Sequence, residues 1–237
     1  MGGKFSRILT FAIITLLLVA PTYAQDDEIL DFLPAILNVA KQPPPEPPPE
    51  GVSILPTHTF YVDSIDYLHI IGEIYNNTPD YIEFVKAYVN IFNGEQLVDT
   101  DFTYTTISTV SPYEKVCFDI LLPNPVNWTS YTFEAPQFST ADVAPPKLTP
   151  YSHSGSYNVT YGWYEIIGLV RNDAERYVEY VKPVATLYDR SGNARECDYT
   201  YVNSTHLESG QSSAFEMTAT GRDYSDIRTY RVQVTGR

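Results

Sequence analysis

The chain is poor in the residues that most chemistry requires. Its 237 residues include 2 cysteines, 4 histidines, 2 methionines and 2 tryptophans. No HExxH, GxSxG or GxxxxGK[ST] segment occurs, so the commonest signatures of zinc proteolysis, α/β-hydrolase chemistry and P-loop phosphate binding are missing. His58, His69, His153 and His206 stand at no metal-ligand spacing. Positive charge is scarce too, with 15 lysines and arginines against 29 acids. That balance opposes nucleic acid and anionic lipid surfaces, which need a basic footprint. The composition therefore points away from an enzyme and names no cofactor.

No apolar run reaches the roughly 20 residues that span a bilayer as a helix. The longest, residues 8–20, has 13. Lys4 and Arg7 precede it, Pro21 ends it, and Thr22-Tyr23-Ala24 supplies small residues for cleavage, the pattern of a secretory signal peptide over residues 1–24. An uncleaved anchor is the alternative. Cleavage leaves 13 basic residues against 29 acids, a net charge of −16. The expected destination is secreted or cell-surface, without stable membrane insertion once the signal is removed.

Residues 25–51 form an acidic then apolar segment followed by a Pro-rich linker. The run Pro43-Pro44-Pro45-Glu46-Pro47-Pro48-Pro49 lacks all but one donor and has φ locked. It reads as a polyproline II spacer of roughly 20 Å.

Beyond the spacer the chain repeats itself. Ile70-Ile71-Gly72-x3-Asn76-x4-Tyr81-x-Glu83-x-Val85-Lys86 recurs as Ile166-Ile167-Gly168-x3-Asn172-x4-Tyr177-x-Glu179-x-Val181-Lys182. Eight of the 24 positions from 70 to 93 are identical at an offset of 96. That period is too long for a solenoid and suits a small β domain. The expected units are a first β-sandwich over 52–138, a linker over 139–147 and a second sandwich over 148–237.

Both units read as strand. Val181, Pro183, Ala185 and Leu187 alternate with Lys182, Val184, Thr186 and Tyr188, and Val85, Ala87, Val89 and Ile91 alternate likewise. Asn93-Gly94 and Asp189-Arg190-Ser191-Gly192-Asn193 supply hairpin turns. The repeat resumes at offset 97, where Asp101-Phe102-Thr103-Tyr104 matches Asp198-Tyr199-Thr200-Tyr201. One extra residue therefore belongs to the second hairpin loop, where insertion is tolerated best. Gly72 and Gly168, inside strands, suggest a close backbone approach or a bulge.

Val184-Ala185-Thr186-Leu187-Tyr188-Asp189 with Ser191-Gly192, preceded by Gly168-x3-Asn172 and followed by Gly210-x4-Phe215, resembles the FxLYD family. The resemblance covers most of residues 157–234. It implies an immunoglobulin-like sandwich of a surface or secreted protein, often in tandem, and carries no catalytic residues. The first copy departs from it, with Ile91-Phe92-Asn93 for Leu-Tyr-Asp and Pro112-Tyr113 for the Pro-Gly turn.

The fold class expected is all-β: two tandem immunoglobulin-like antiparallel sandwiches. Cys117 matches Ala214 and Cys197 matches Thr100, so a bridge would join the two modules; two separate thiols are the alternative. Glu83/Lys86 and Glu179/Lys182 recur, but residues three apart in a regular strand face opposite sides. Asp189–Asn193 lacks the alternating acids and bidentate Glu of a calcium loop. Four glycosylation sequons begin at Asn76, Asn127, Asn158 and Asn203. Trp128 and Trp163 are the candidate aromatic contacts for a glycan. The expected role is a non-enzymatic display, spacer or protein-interaction module with an unknown extracellular protein or glycan partner; the alternative is a carbohydrate-binding module. On export, the intact mass is expected to correspond to a chain starting at Gln25; a mass retaining residues 1–24 would refute cleavage.

Overall fold

Alternating apolar and polar residues become paired strands throughout residues 50–237, which the computed structural model describes. The expected signal peptide and nearly all of the acidic and Pro-rich segment lie outside the described residues. Among the described residues no helix is long and apolar enough to cross a membrane.

In the first half, β3 (Tyr67–Asn77) is the centre of one sheet. It pairs antiparallel with β1 (Gly51–Ile54), β2 (Thr59–Val62) and β7 (Lys115–Pro123). β4 (Ile82–Asn93) is the centre of the other sheet. Its antiparallel partners are β5 (Gln96–Tyr104), β6 (Thr109–Val110), β8 (Ser130–Phe133) and β9 (Gln137–Thr140). β9 ends inside the stretch expected as linker, because Ile82 and Glu83 pair with Thr140 and Ser139.

The second half repeats the plan. β11 (Trp163–Asn172) lies between β10 (Leu148–Asn158) and β16 (Ser212–Ala219). β13 (Lys182–Tyr188) lies between β14 (Ala194–Tyr199) and β17 (Thr229–Thr235). A short pair, β12 (Val178–Glu179) with β15 (His206–Leu207), completes it. The protein is all-β. The extra residue sits in the hairpin loop: Phe92 pairs with Leu97 in the first copy, and Tyr188 with Ala194 in the second.

The strand pattern buries one face of each sheet. Ile70, Ile74, Val85, Val89 and Phe118 are in the first core; Ile166, Val170, Leu187 and Phe215 are in the second. Each such side chain contributes roughly 1.5–3 kcal/mol on burial. The other face of β13 does not reach water either. Val184 and Tyr188, with Ala194 and Cys197 of β14, join the first core. The two sandwiches therefore share apolar packing, and both fall within one compact unit, Pro48–Arg237.

The repeated residues are framework. Asn76 and Asn172 are buried, and each amide donates to the loop it spans. Asn76 Nδ2 reaches the Asp80 and Ser111 carbonyls at 2.8 and 3.0 Å, and Asn172 Nδ2 those of Arg176 and Leu207 at 2.8 and 2.9 Å. Burial removes Asn76 as a glycan acceptor in the folded chain. Gly72 and Gly168 answer to close approach. A Cβ on Gly72 would stand 2.6 Å from Phe118 Cζ; one on Gly168 would stand 2.6 Å from His153 Cβ and 2.8 Å from Phe215 Cζ. His58 and His153 are also equivalent, each ring nitrogen bonding a tyrosine hydroxyl, Tyr131 at 2.7 Å and Tyr230 at 2.9 Å. Tyr113 takes the left-handed conformation (φ 58°) that Gly210 takes (φ 77°), so the first copy keeps the turn without its glycine.

Gly168→Ala is expected to overpack this contact and cost about 1–3 kcal/mol. The measurement is the midpoint of urea unfolding at unchanged slope; an unmoved midpoint would show that the ring and His153 yield freely.

Candidate functional site

Two features stand out once the fold is traced: a polar junction between the sandwiches and a pair of matching aromatic edges. At the junction β7 brings Cys117 against Cys197 of β14. Their sulfurs are bonded, with Cα atoms 5.7 Å apart and a sequence separation of 80. A loop of that length is worth about 4 kcal/mol in the chain-entropy view of a disulfide.

Beside it lies Glu73, a carboxylate with no exposure at all. Oε1 accepts from the Tyr188 hydroxyl at 2.7 Å and from Arg231 Nη2 at 2.9 Å; Oε2 accepts from Lys115 Nζ at 2.7 Å. Arg231 Nη2 also donates to the Lys115 carbonyl at 2.8 Å. Two of the three donors come from the second sandwich. A buried charge is tolerated only with this degree of pairing, and removing one partner typically costs about 3–5 kcal/mol. Burial, followed by the Glu73 charge, pushes the Tyr188 hydroxyl above its ordinary value. Ala194 N to Thr57 O at 2.8 Å, and Lys182 Nζ to Thr106 O at 2.6 Å, add ties to main-chain carbonyls across the junction.

A second buried carboxylate, Glu196, is differently placed. It accepts from Tyr224 Oη at 2.6 Å and from the Cys197 amide at 3.1 Å. Tyr224 Oη also lies 2.8 Å from the Thr220 carbonyl. One hydroxyl proton serves one of these oxygens well. The Tyr224 proton is shared between Glu196 and Thr220; protonation of Glu196 would let the carboxyl donate to Tyr224 while Tyr224 donates to Thr220. Burial pushes Glu196 up to about 7, and Asp119 and Asp198 push the same way against the Tyr224 hydroxyl. Nearby, His69 stacks on Tyr61 with centroids 4.5 Å apart and bonds Asp119 at 2.9 Å, with Asp63 at 3.6 Å. Burial opposes the His69 charge, but Asp119, Glu196 and Asp63 together hold it above its ordinary value. Asp119 Oδ1 has no hydrogen-bond partner.

These groups face one another across the junction. Among the described residues no three His, Cys, Asp or Glu side chains are grouped to hold a metal ion.

The second feature grows from the repeated Glu-x-Val-Lys. Its second residue sits in the left-handed region in both copies, Phe84 at φ 52° and Tyr180 at φ 51°. The kink interrupts regular pairing: the β4–β9 register shifts between Glu83 and Lys86, and the strand breaks between β12 and β13. Lys86 places its ammonium on rings, 4.9 Å from Phe102 and 5.2 Å from Tyr104. Lys182 lies 4.7 Å from Tyr199. The recurring glutamate and lysine thus flank a strand kink and set a cation over aromatic rings.

Of the sequence candidates, the structure brings Cys117 and Cys197 together. It leaves the tryptophans with separate partners. Trp128 packs half-buried on Phe60 at 5.0 Å and donates to Asn124 at 3.0 Å; Trp163 stacks on Tyr161 at 4.7 Å. Sequence reading missed Glu73 and Glu196. The signal for Glu73 was an acid within Ile70-Ile71-Gly72-Glu73-Ile74 whose copy is Leu169.

No protein-family profile and no curated protein matches the chain. Among solved structures it is similar to an exo-chitosanase of Amycolatopsis orientalis, at 10% identity over 76% of this chain with a TM-score of 0.28. It is also similar to a red sea bream transglutaminase, at 8% identity over 77% with a TM-score of 0.24. The tandem CBM22 domains of Paenibacillus barcinonensis Xyn10C match at 11% identity over 79%, with a TM-score of 0.18. The chain spans 25% of the chitosanase, 29% of the transglutaminase and 86% of the CBM22 pair. Likeness this slight carries no argument about activity.

Glu196 makes the junction pH-dependent. Its folded value, about 7, lies above the ordinary 4.5, so its contribution is complete below pH 4.5 and is lost as pH rises through 7. His69, also raised, acts in the same direction at higher pH. Thermal unfolding is expected to show falling stability from pH 4.5 to 8. Glu196→Gln should remove a few kcal/mol of that slope; parallel wild-type and variant profiles would contradict the assignment.

Proposed function

We propose that this is a non-enzymatic extracellular or cell-surface protein whose two sandwiches act as one rigid display element. The observation carrying this reading is the junction. A disulfide, a fully buried carboxylate with three donors and shared apolar packing tie the halves together. Flexible tandem domains usually meet through smaller, more polar contacts. A rigid pair holds its strand faces and loop ends at a fixed spacing, which suits a spacer or a two-point binder. The ionisable groups at the junction are engaged with one another, which favours a structural role for them. Export of this acidic chain, expected from residues 1–24, accords with a bridge formed under oxidising conditions.

A second reading, binding of a carbohydrate, is favoured by the matching exposed aromatics: Phe84 with Tyr104, and Tyr180 with Tyr201. It does not depend on Trp128 or Trp163.

Small-angle scattering of the exported protein tests rigidity. One shape is expected to fit wild type with and without reductant, because Glu73 and the apolar contacts persist. Reduction combined with Glu73→Ala is expected to broaden the distance distribution. Wild-type data requiring several domain arrangements would sink the rigid-display reading.

A further inference from the structure

The two kinks build the same cavity twice. In the first sandwich Phe84, Val85, Tyr104, Thr105 and Ser108 line a groove of about 300 Å³. In the second, Tyr180, Val181, Tyr201 and Val202 line one of about 390 Å³, with Asn203, Ser204 and Thr205 on its wall and Glu179 at its edge. Each residue of the first groove has its counterpart at offset 96 or 97. The floors close with the same main-chain bond: Thr105 N to Val85 O at 2.9 Å, and Val202 N to Val181 O at 3.1 Å.

The left-handed aromatics are the informative part. A bulky side chain there costs roughly 1–3 kcal/mol. Core packing does not recover that cost, since Phe84 is 61% and Tyr180 55% exposed, the Tyr180 ring carrying the Arg237 guanidinium at 4.3 Å. The opposing rings are open as well, Tyr104 at 49% and Tyr201 at 53%. Both copies therefore hold two aromatic rings out at one groove, and the opposing ring is buttressed in an edge-on pair. Phe102–Tyr104 centroids are 6.0 Å apart at 80°, and Tyr199–Tyr201 centroids 6.1 Å at 87°.

The chemistry of the walls selects the ligand. The nearby cations are engaged, Lys86 on its ring cage, Lys182 on Thr106 O and Tyr199, and Arg237 over the Tyr180 ring at 4.3 Å, and the chain is strongly acidic, so an anionic ligand is disfavoured. The Tyr104 and Ser108 hydroxyls of the first groove, and the hydroxyls with the Asn203 amide of the second, are each donor and acceptor and suit a ligand rich in hydroxyls, whereas the Thr105 hydroxyl already donates to Ile107 O at 2.9 Å. A polyproline peptide offers only acceptors. Aromatic faces suit the apolar C–H face of a ring.

We propose that the two grooves are equivalent subsites for neutral sugar residues, and that the rigid junction lets one glycan chain engage both. This rests on the carbohydrate reading above. Bivalent engagement needs a ligand whose reach matches the groove spacing, and a fixed junction keeps that spacing constant.

Affinity electrophoresis of the exported protein through gels containing soluble neutral glucan, xylan, mannan or galactan is the test, with circular dichroism as the folding control. At least one polymer is expected to retard the wild type. Tyr104→Ala or Tyr201→Ala alone should weaken binding about tenfold or more, and the double variant should abolish it. Trp128→Ala and Trp163→Ala should leave it unchanged. Retardation lost only in the tryptophan variants would overturn the groove assignment while keeping the carbohydrate reading. No retardation by any glycan would overturn both, leaving the rigid-display reading to the scattering experiment. Binding of a synthetic peptide of residues 41–50 in a Tyr104- and Tyr201-dependent way, without glycan binding, would reassign the grooves to a proline-rich ligand.

Discussion

Everything about this protein as a unit depends on one carboxylate having no water. Glu73 sits at zero exposure where the two sandwiches meet, and only partners drawn from both halves satisfy it. Separating the halves would strip it of Tyr188 and Arg231. A charge left buried without partners costs far more than the pair gains, so the contact acts as a registry pin more than as a source of net stability. The disulfide beside it closes a long loop and restricts the unfolded chain instead. The two devices act on opposite ends of the folding equilibrium.

The second buried carboxylate behaves in the opposite manner. Glu73 is compensated by two cations, whereas Glu196 has a phenol, an amide and two neighbouring acids. The first is held in place by two ion pairs; burial pushes the second toward neutrality at physiological pH. One junction thus carries a charge that holds it and a carboxyl that makes it sensitive to alkalinity.

Duplication explains which residues are free to differ. Asn76/Asn172, Gly72/Gly168 and Phe118/Phe215 hold the same loops and the same ring-on-backbone contact in both copies. Glu73/Leu169 and Cys117/Ala214 differ because one copy faces its neighbour there and the other does not. The exposed aromatics are kept in both copies with no core to pack, the opposite of what a purely structural framework would require.

The sequence by itself determined the all-β class, the strand alternation, the duplication and the loop that received the extra residue. All of these follow from local periodicity and turn chemistry, which act over a few residues. It also showed that any bridge between Cys117 and Cys197 had to cross between modules. Only the tertiary structure decided that the outer face of β13 is buried against the other half, and that Glu73 and Glu196 take opposite roles. It also put the repeated Phe84 and Tyr180 in left-handed kinks facing Tyr104 and Tyr201. Burial of a charge depends on donors up to 158 residues away in the chain, and no local pattern encodes that distance.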